Sequence, residues 1–88
     1  MDMSSGKQPE SGPFARAISE EVRAHMARPR ISASQLAKMS GLSRNYLGKR
    51  LRDETSFTAN DIEAICKALN VDLLSFIESA VRNLRPGG

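Results

Sequence analysis

What this chain lacks narrows its function before any motif is considered. Its single cysteine, Cys66, cannot close an internal disulfide, so nothing requires an oxidising compartment. With one histidine, His25, beside that one cysteine, a zinc site would be short of ligands. Tryptophan is absent and aromatics make up 5% against 40% hydrophobic residues, a balance that suits a helical aliphatic core better than an aromatic-rich sandwich. No apolar run approaches the ~20 residues needed to cross a bilayer, and the polar stretch from Met1 to Pro13 has no signal-peptide core. No Ser/His/Asp arrangement, glycine-rich phosphate loop or convincing carboxylate pair is present. The expectation is a soluble, cytoplasmic, non-enzymatic protein without cofactor or metal.

What is present is a segregation of charge. The net charge is only +3. Yet the stretch from residue 28 to 52 carries Arg28, Arg30, Lys38, Arg44, Lys49, Arg50 and Arg52 and no acidic residue. Beyond it, Asp53, Glu54, Asp61, Glu63, Asp72 and Glu78 face only Lys67, Arg82 and Arg85. A run of like charge is often just a solvated face. Separation this complete points to one surface attracted to a polyanion and another repelled by it.

At 88 residues the chain has room for one small domain. Residues 1–12 show no periodicity and read as a disordered arm, 13–84 as the folded domain, and 85–88 as a tail or the start of a linker. Proline at position 13 opens a first helix to about Ala27, with Phe14, Ile18, Val22 and Met26 on its inner face. The Arg28-Pro29 pair predicts its end. Ser32 with Gln35 forms a capping-box pattern for a second helix that stops at Gly41. Ser43 caps a third helix, about Arg44 to Arg52. A fourth follows the loop Asp53 to Phe57, begins at Thr58-Ala59-Asn60-Asp61 and stops at Asn70. Asp72 caps a fifth, from Leu73 to about Leu84. No segment alternates like a half-buried strand, so the fold class is all-α with five helices.

The informative stretch is Gln35-Leu36-Ala37-Lys38-Met39-Ser40-Gly41-Leu42-Ser43-Arg44-Asn45-Tyr46-Leu47. Two short helices crossing through a tight turn need a small residue between them (Ala37), a glycine at the turn (Gly41) and apolar inner faces (Leu36, Leu42, Leu47). All five are in place. From about Phe14 to Ile77 the sequence resembles the Cro and lambda-repressor type of helix-turn-helix proteins, the XRE family. The resemblance implies a compact lambda-repressor-like domain with its helix-turn-helix at helices 2 and 3. The second helix would lie over the phosphate backbone and the third in the major groove, commonly in a two-fold dimer. The chain departs from the family pattern at Ser40 and Arg50, where apolar residues are common, and at Asp53, where glycine is usual. Leu51 is expected to take the inner position in place of Arg50.

Stepping roughly 100° per residue from Arg44 puts Asn45, Lys49 and Arg52 on the side of the third helix away from Leu47 and Leu51. Gly48 lies beside them and would permit close approach to DNA. Arg44, Asn45 and Lys49 are the base-reading candidates, since arginine or lysine matches guanine and asparagine matches adenine. Ser32, Ser34, Gln35 and Ser43, at helix starts, with Tyr46, Arg50, Arg52 and Arg28, are the candidate backbone contacts. Tyr46 has a second reading as a packing residue, Asn45 and Lys49 as ordinary solvent-facing residues, and Arg50 and Arg52 as solubilising charges at the helix end. His25 and Cys66 are read as structural.

The fifth helix carries an apolar arc of roughly 160°, wider than a surface helix needs. The excess predicts a homodimer through this helix, or else a small core that uses more of it. The functional expectation is a transcriptional regulator, most simply a phage immunity repressor or Cro-like protein occupying a double-stranded operator in a bacterial host. An antitoxin that represses its own operon, and a protein-interaction module on the same fold, are the alternatives.

Overall fold

The computed structural model describes residues 11–84, which form α1 (Pro13–Ala27), α2 (Ala33–Ser40), α3 (Arg44–Leu51), α4 (Ala59–Leu69) and α5 (Leu73–Arg82), with no strand among them. The arm and tail expected at the ends lie outside the described residues, apart from Ser11 and Gly12. Those two belong to the folded unit: Ser11 is buried with its hydroxyl 3.1 Å from that of Ser56, and Gly12 accepts the first helical bond from Arg16.

The starts of α2 to α5 each follow from a side chain that satisfies an otherwise orphaned amide, whereas α1 opens on Gly12 and Pro13 without a side-chain cap. Ser32 and Thr58 form complete capping boxes, with Gln35 and Asp61 as the respective partners. Ser43 and Asp72 accept from Tyr46 and Ser75. The core gathers Ile18 and Val22 from α1, Leu36 and Ala37 from α2, Leu47 from α3, Ile65 and Cys66 from α4, and Phe76 and Ala80 from α5. Phe76, 1% exposed, is among the largest fully buried side chains. Truncating such a ring costs about 3–5 kcal/mol, a large share of a small domain's stability. Phe14 shares the inner face of α1 but sits in its first turn, before the core begins at Ala17, and is 47% exposed.

The helix ends depend on left-handed residues, and glycine supplies only one of them. Gly41 (φ 83°) ends α2, while Arg30 (φ 58°), Asp53 (φ 63°) and Asn70 (φ 56°) turn the chain after α1, α3 and α4. At each of these three, the next amide reaches back five residues: Ile31 to Met26, Glu54 to Lys49 and Val71 to Cys66, at 2.8–2.9 Å. This paired-bond exit satisfies the last helical carbonyls. It also corrects the reason expected for the end of α1. Arg28 stays right-handed (φ −59°, ψ −51°) despite the proline that follows it, and the chain turns at Arg30 instead.

Left-handed backbone is costly for a residue with a Cβ, so relieving it has a readable effect. Arg30→Gly is expected to raise stability by about 0.5–1 kcal/mol in urea unfolding, since Arg30 is exposed and only its backbone strain changes. Asp53→Gly relieves the same strain yet is expected to lower stability, because the Asp53 carboxylate holds α1. Equal stabilisation by both changes would contradict this.

Candidate nucleic-acid interface

α2 and α3 meet through the turn Gly41-Leu42-Ser43, with Leu36, Ala37 and Leu47 buried between them. Ala37, the small residue expected at the crossing, is buried in the core. Only eight residues long, α3 is then fixed on two sides.

Toward α4, Asp61 is the fixing group. Its carboxylate is 4% exposed and accepts the Tyr46 hydroxyl at 3.0 and 2.9 Å and the Thr58 amide at 2.9 Å. Arg50 lies alongside, its Nε 3.5 Å from Asp61 Oδ2 and its guanidinium carbon 3.4 Å from the Tyr46 ring centroid. Arg50 Nη1 also donates to the Tyr46 carbonyl, while its buried Nε makes no hydrogen bond. Burial of an aspartate is tolerable only with such compensation. Burial first, and then the bond to Asp61 and its charge, push the Tyr46 hydroxyl above its ordinary pKa of 10.0. It therefore remains a donor at neutral pH.

Toward α1, Ser19 Oγ donates to Asp53 Oδ1 at 2.6 Å, and Arg23 Nη1 donates to the Leu51 carbonyl at 2.6 Å. Arg23 also stands 3.8 Å from Asp53 Oδ2. A cation on the last carbonyls of α3 complements the helix dipole as well as its free acceptors. The aspartate that replaces the family's glycine is thus a joint between α1 and α3. Leu51 packs against the core as expected. Arg50 nevertheless also turns inward, its side chain 12% exposed, because Asp61 provides a buried counter-charge.

The third side of α3 is open. Arg44, Asn45 and Lys49 are exposed, and none of their side chains makes a hydrogen bond or ion pair within the described residues. Arg44, Asn45, Gly48 and Arg52 line one concavity together with Ala33 at the start of α2. Arg52 Nε donates to Glu54 Oε2 at 2.7 Å, and its Nη1 lies 3.1 Å from where a Cβ on Gly48 would stand. The room left by Gly48 is therefore occupied by the chain's own arginine.

The remaining candidates divide. Ser32, Gln35 and Ser43 are exposed, with their side chains engaged in capping, and Ser34 is half-buried. The Tyr46 hydroxyl and the Arg50 guanidinium are engaged with Asp61 or with each other. Arg28 lines a different depression, with Pro29, Ile31 and Met39, that shares no residue with the concavity on α3. His25 bonds Glu21 at 3.0 Å and packs on the Phe76 ring, and Cys66 is a core residue. Sequence reasoning missed Ser19, Arg23, Asp53 and Asp61 as residues that position α3, and Glu54 as the partner of Arg52. Asp61 carried a signal in the Thr58-to-Asp61 spacing of a capping box, and Asp53 in standing where glycine is usual.

Known proteins similar to this chain include gene regulators. Residues 30–76 match the helix-turn-helix family, and this segment spans more than half of the chain. The chain belongs to the XRE-type helix-turn-helix family. It is 36% identical over 56 residues to control protein C.SmaI of Serratia marcescens, covering 64% of this chain and 67% of that protein. The restriction-modification controller protein C.Esp1396I superposes with a TM-score of 0.74 at 25% identity, over 83% of this chain and 92% of that one. The clp gene regulator ClgR of Corynebacterium glutamicum gives 0.75 at 18% identity, over 86% and 99% respectively, a likeness of fold. Sequence-specific DNA binding in transcriptional regulation is the function of this helix-turn-helix chain. No helix among the described residues is long and apolar enough to cross a membrane.

Tyr46 is the one tyrosine of the chain, so its ionisation can be followed directly by phenolate absorbance. The midpoint is expected above 10.0 in the folded protein and near 10.0 in urea. Because the folded value is the raised one, the linked stability is intact below pH 10 and is lost as pH rises through the folded midpoint. Asp61→Asn is expected to bring the midpoint back toward the unfolded value. A midpoint unchanged by that substitution would show that Asp61 does not hold Tyr46.

Proposed function

We propose that the protein is a repressor that occupies a palindromic operator as a homodimer, with α3 in the major groove and the start of α2 over the phosphate backbone. The observation that carries this reading is the division of α3. Two of its sides are committed to α4 and α1, and the third presents the side chains of Arg44, Asn45 and Lys49, which have no hydrogen-bond or ion-pair partner among the described residues. In this reading those three residues read bases. The helix-start amides near Ser32, Ser34 and Ser43 meet phosphate, and Arg52 sits at the rim. Gln35 holds the start of α2, and Tyr46 and Arg50 aim α3 from behind. Residues 13–84, with Ser11 and Gly12, act as one DNA-binding domain in the cytoplasm. Similarity to the controller C.Esp1396I supports a second reading, control of a restriction-modification gene set. Mapping the bound promoters in the host separates the two.

Selection of bound sites from random duplexes tests the central reading, and two half-sites related by a dyad are expected. On the selected site, Asn45→Ala and Lys49→Ala should each cost about 1–3 kcal/mol and relax preference at a defined base pair. Equal losses on selected and random DNA would show that these residues do not read sequence.

The proposed dimer uses α5, where Leu73, Leu74 and Val81 are 42%, 66% and 47% exposed beside the buried Phe76 and Ala80. Sedimentation is expected to show a dimer that Leu74→Glu converts to a folded monomer. A wild-type monomer at high micromolar concentration, with and without DNA, would remove α5 as an interface.

A further inference from the structure

The open side of α3 has an acidic residue at its edge. Glu54 follows the left-handed Asp53, and its amide is tied back to the Lys49 carbonyl at 2.9 Å, which fixes its position just past the end of the helix. Its Oε2 accepts Arg52 Nε at 2.7 Å. Arg52 in turn lies folded over Gly48, its Nη1 at 3.1 Å from the missing Cβ position. Arg52 lines the same concavity as Arg44 and Asn45. The bond from Arg52, helped by the charges of Arg52 and Lys49, holds the Glu54 carboxyl below its ordinary range. Glu54 is therefore a charged counter-ion at neutral pH.

We infer that Glu54 is a specificity-determining residue that acts by positioning Arg52 against the face of α3 and withdrawing it from indiscriminate phosphate binding. This rests on the reading that α3 faces DNA. Binding to random duplex depends almost wholly on how many cations are free to replace counter-ions along the backbone. Arg52 bonded to Glu54 counts for less in that pool, because the carboxylate already offsets its charge and competes with phosphate for it. At a fitting site the same bond keeps the guanidinium beside Gly48, next to Arg44 and Asn45, where a directed contact is useful. Glu54 thus weakens random binding more than specific binding, in the way that discrimination between partners is often built. Gly48 is the enabling residue, since a side chain there would crowd the position Arg52 takes.

The test is a double-mutant cycle on the full chain, with Glu54→Gln, Arg52→Ala and the pair, each titrated against a selected site and a random duplex over a range of salt. Glu54→Gln is expected to tighten random-duplex binding about threefold, the scale of one exposed ion pair. It should steepen the salt slope by nearly one phosphate contact and change affinity for the selected site by less than twofold. In the Arg52→Ala background the same substitution should do almost nothing. An equal gain in both backgrounds would mean that Glu54 acts only as a long-range charge, and the inference fails. Loss of affinity confined to the selected site and persisting in the Arg52→Ala background would overturn it too, since Glu54 would then be accepting from a base itself. If Arg44→Ala, Lys49→Ala and Arg52→Ala all leave affinity and salt slope unchanged on both duplexes, the failure lies in the orientation of α3, and the Glu54 inference falls with it.

Discussion

An aspartate carboxylate taken out of water needs several partners at once, and in this domain those partners come from two helices. Asp61 caps α4 through Thr58, receives the hydroxyl of Tyr46 from α3 and neutralises Arg50 from the next turn of α3. Its burial therefore makes the start of α4 and the orientation of α3 parts of one arrangement. Removing one member leaves the others desolvated without compensation, which is costlier than losing a single bond. The side of α3 opposite these contacts is left to the solvent, and it carries Arg44, Asn45 and Lys49.

The second constraint is backbone geometry at the exits. A five-helix domain of this size has short connections, and the chain must reverse quickly after α1, α2, α3 and α4. One glycine and three residues with side chains take the left-handed conformation. At Asp53 the side chain offsets part of the cost by bonding Ser19 and approaching Arg23, so a turn becomes a contact between distant helices. At Arg30 no comparable compensation is present.

The sequence disclosed what depends on local chemistry. The caps at Ser32, Ser43 and Asp72, the exits at Gly41 and Asn70, and the Leu36, Ala37 and Leu47 packing are governed by neighbours a few residues away. It did not disclose what depends on long-range pairing. Ser19 and Asp53 are 34 residues apart, Arg23 and Leu51 are 28 apart, and Tyr46 and Asp61 are 15 apart. An arginine at position 50 looks like a surface charge until a buried carboxylate is placed opposite it. The same holds for Gly48, whose empty side is filled by Arg52, a use that helical periodicity alone does not reveal.

The brevity of α3 has a further consequence. Eight residues amount to about two turns, well under the ~12–15 residues at which an isolated helix becomes even marginally stable in water. α3 thus has no helical existence apart from its attachments to α1, α2 and α4. Partial opening of the domain that frees those attachments dissolves the helix in the same event. Folding and possession of an ordered α3 surface are, for this chain, one cooperative equilibrium.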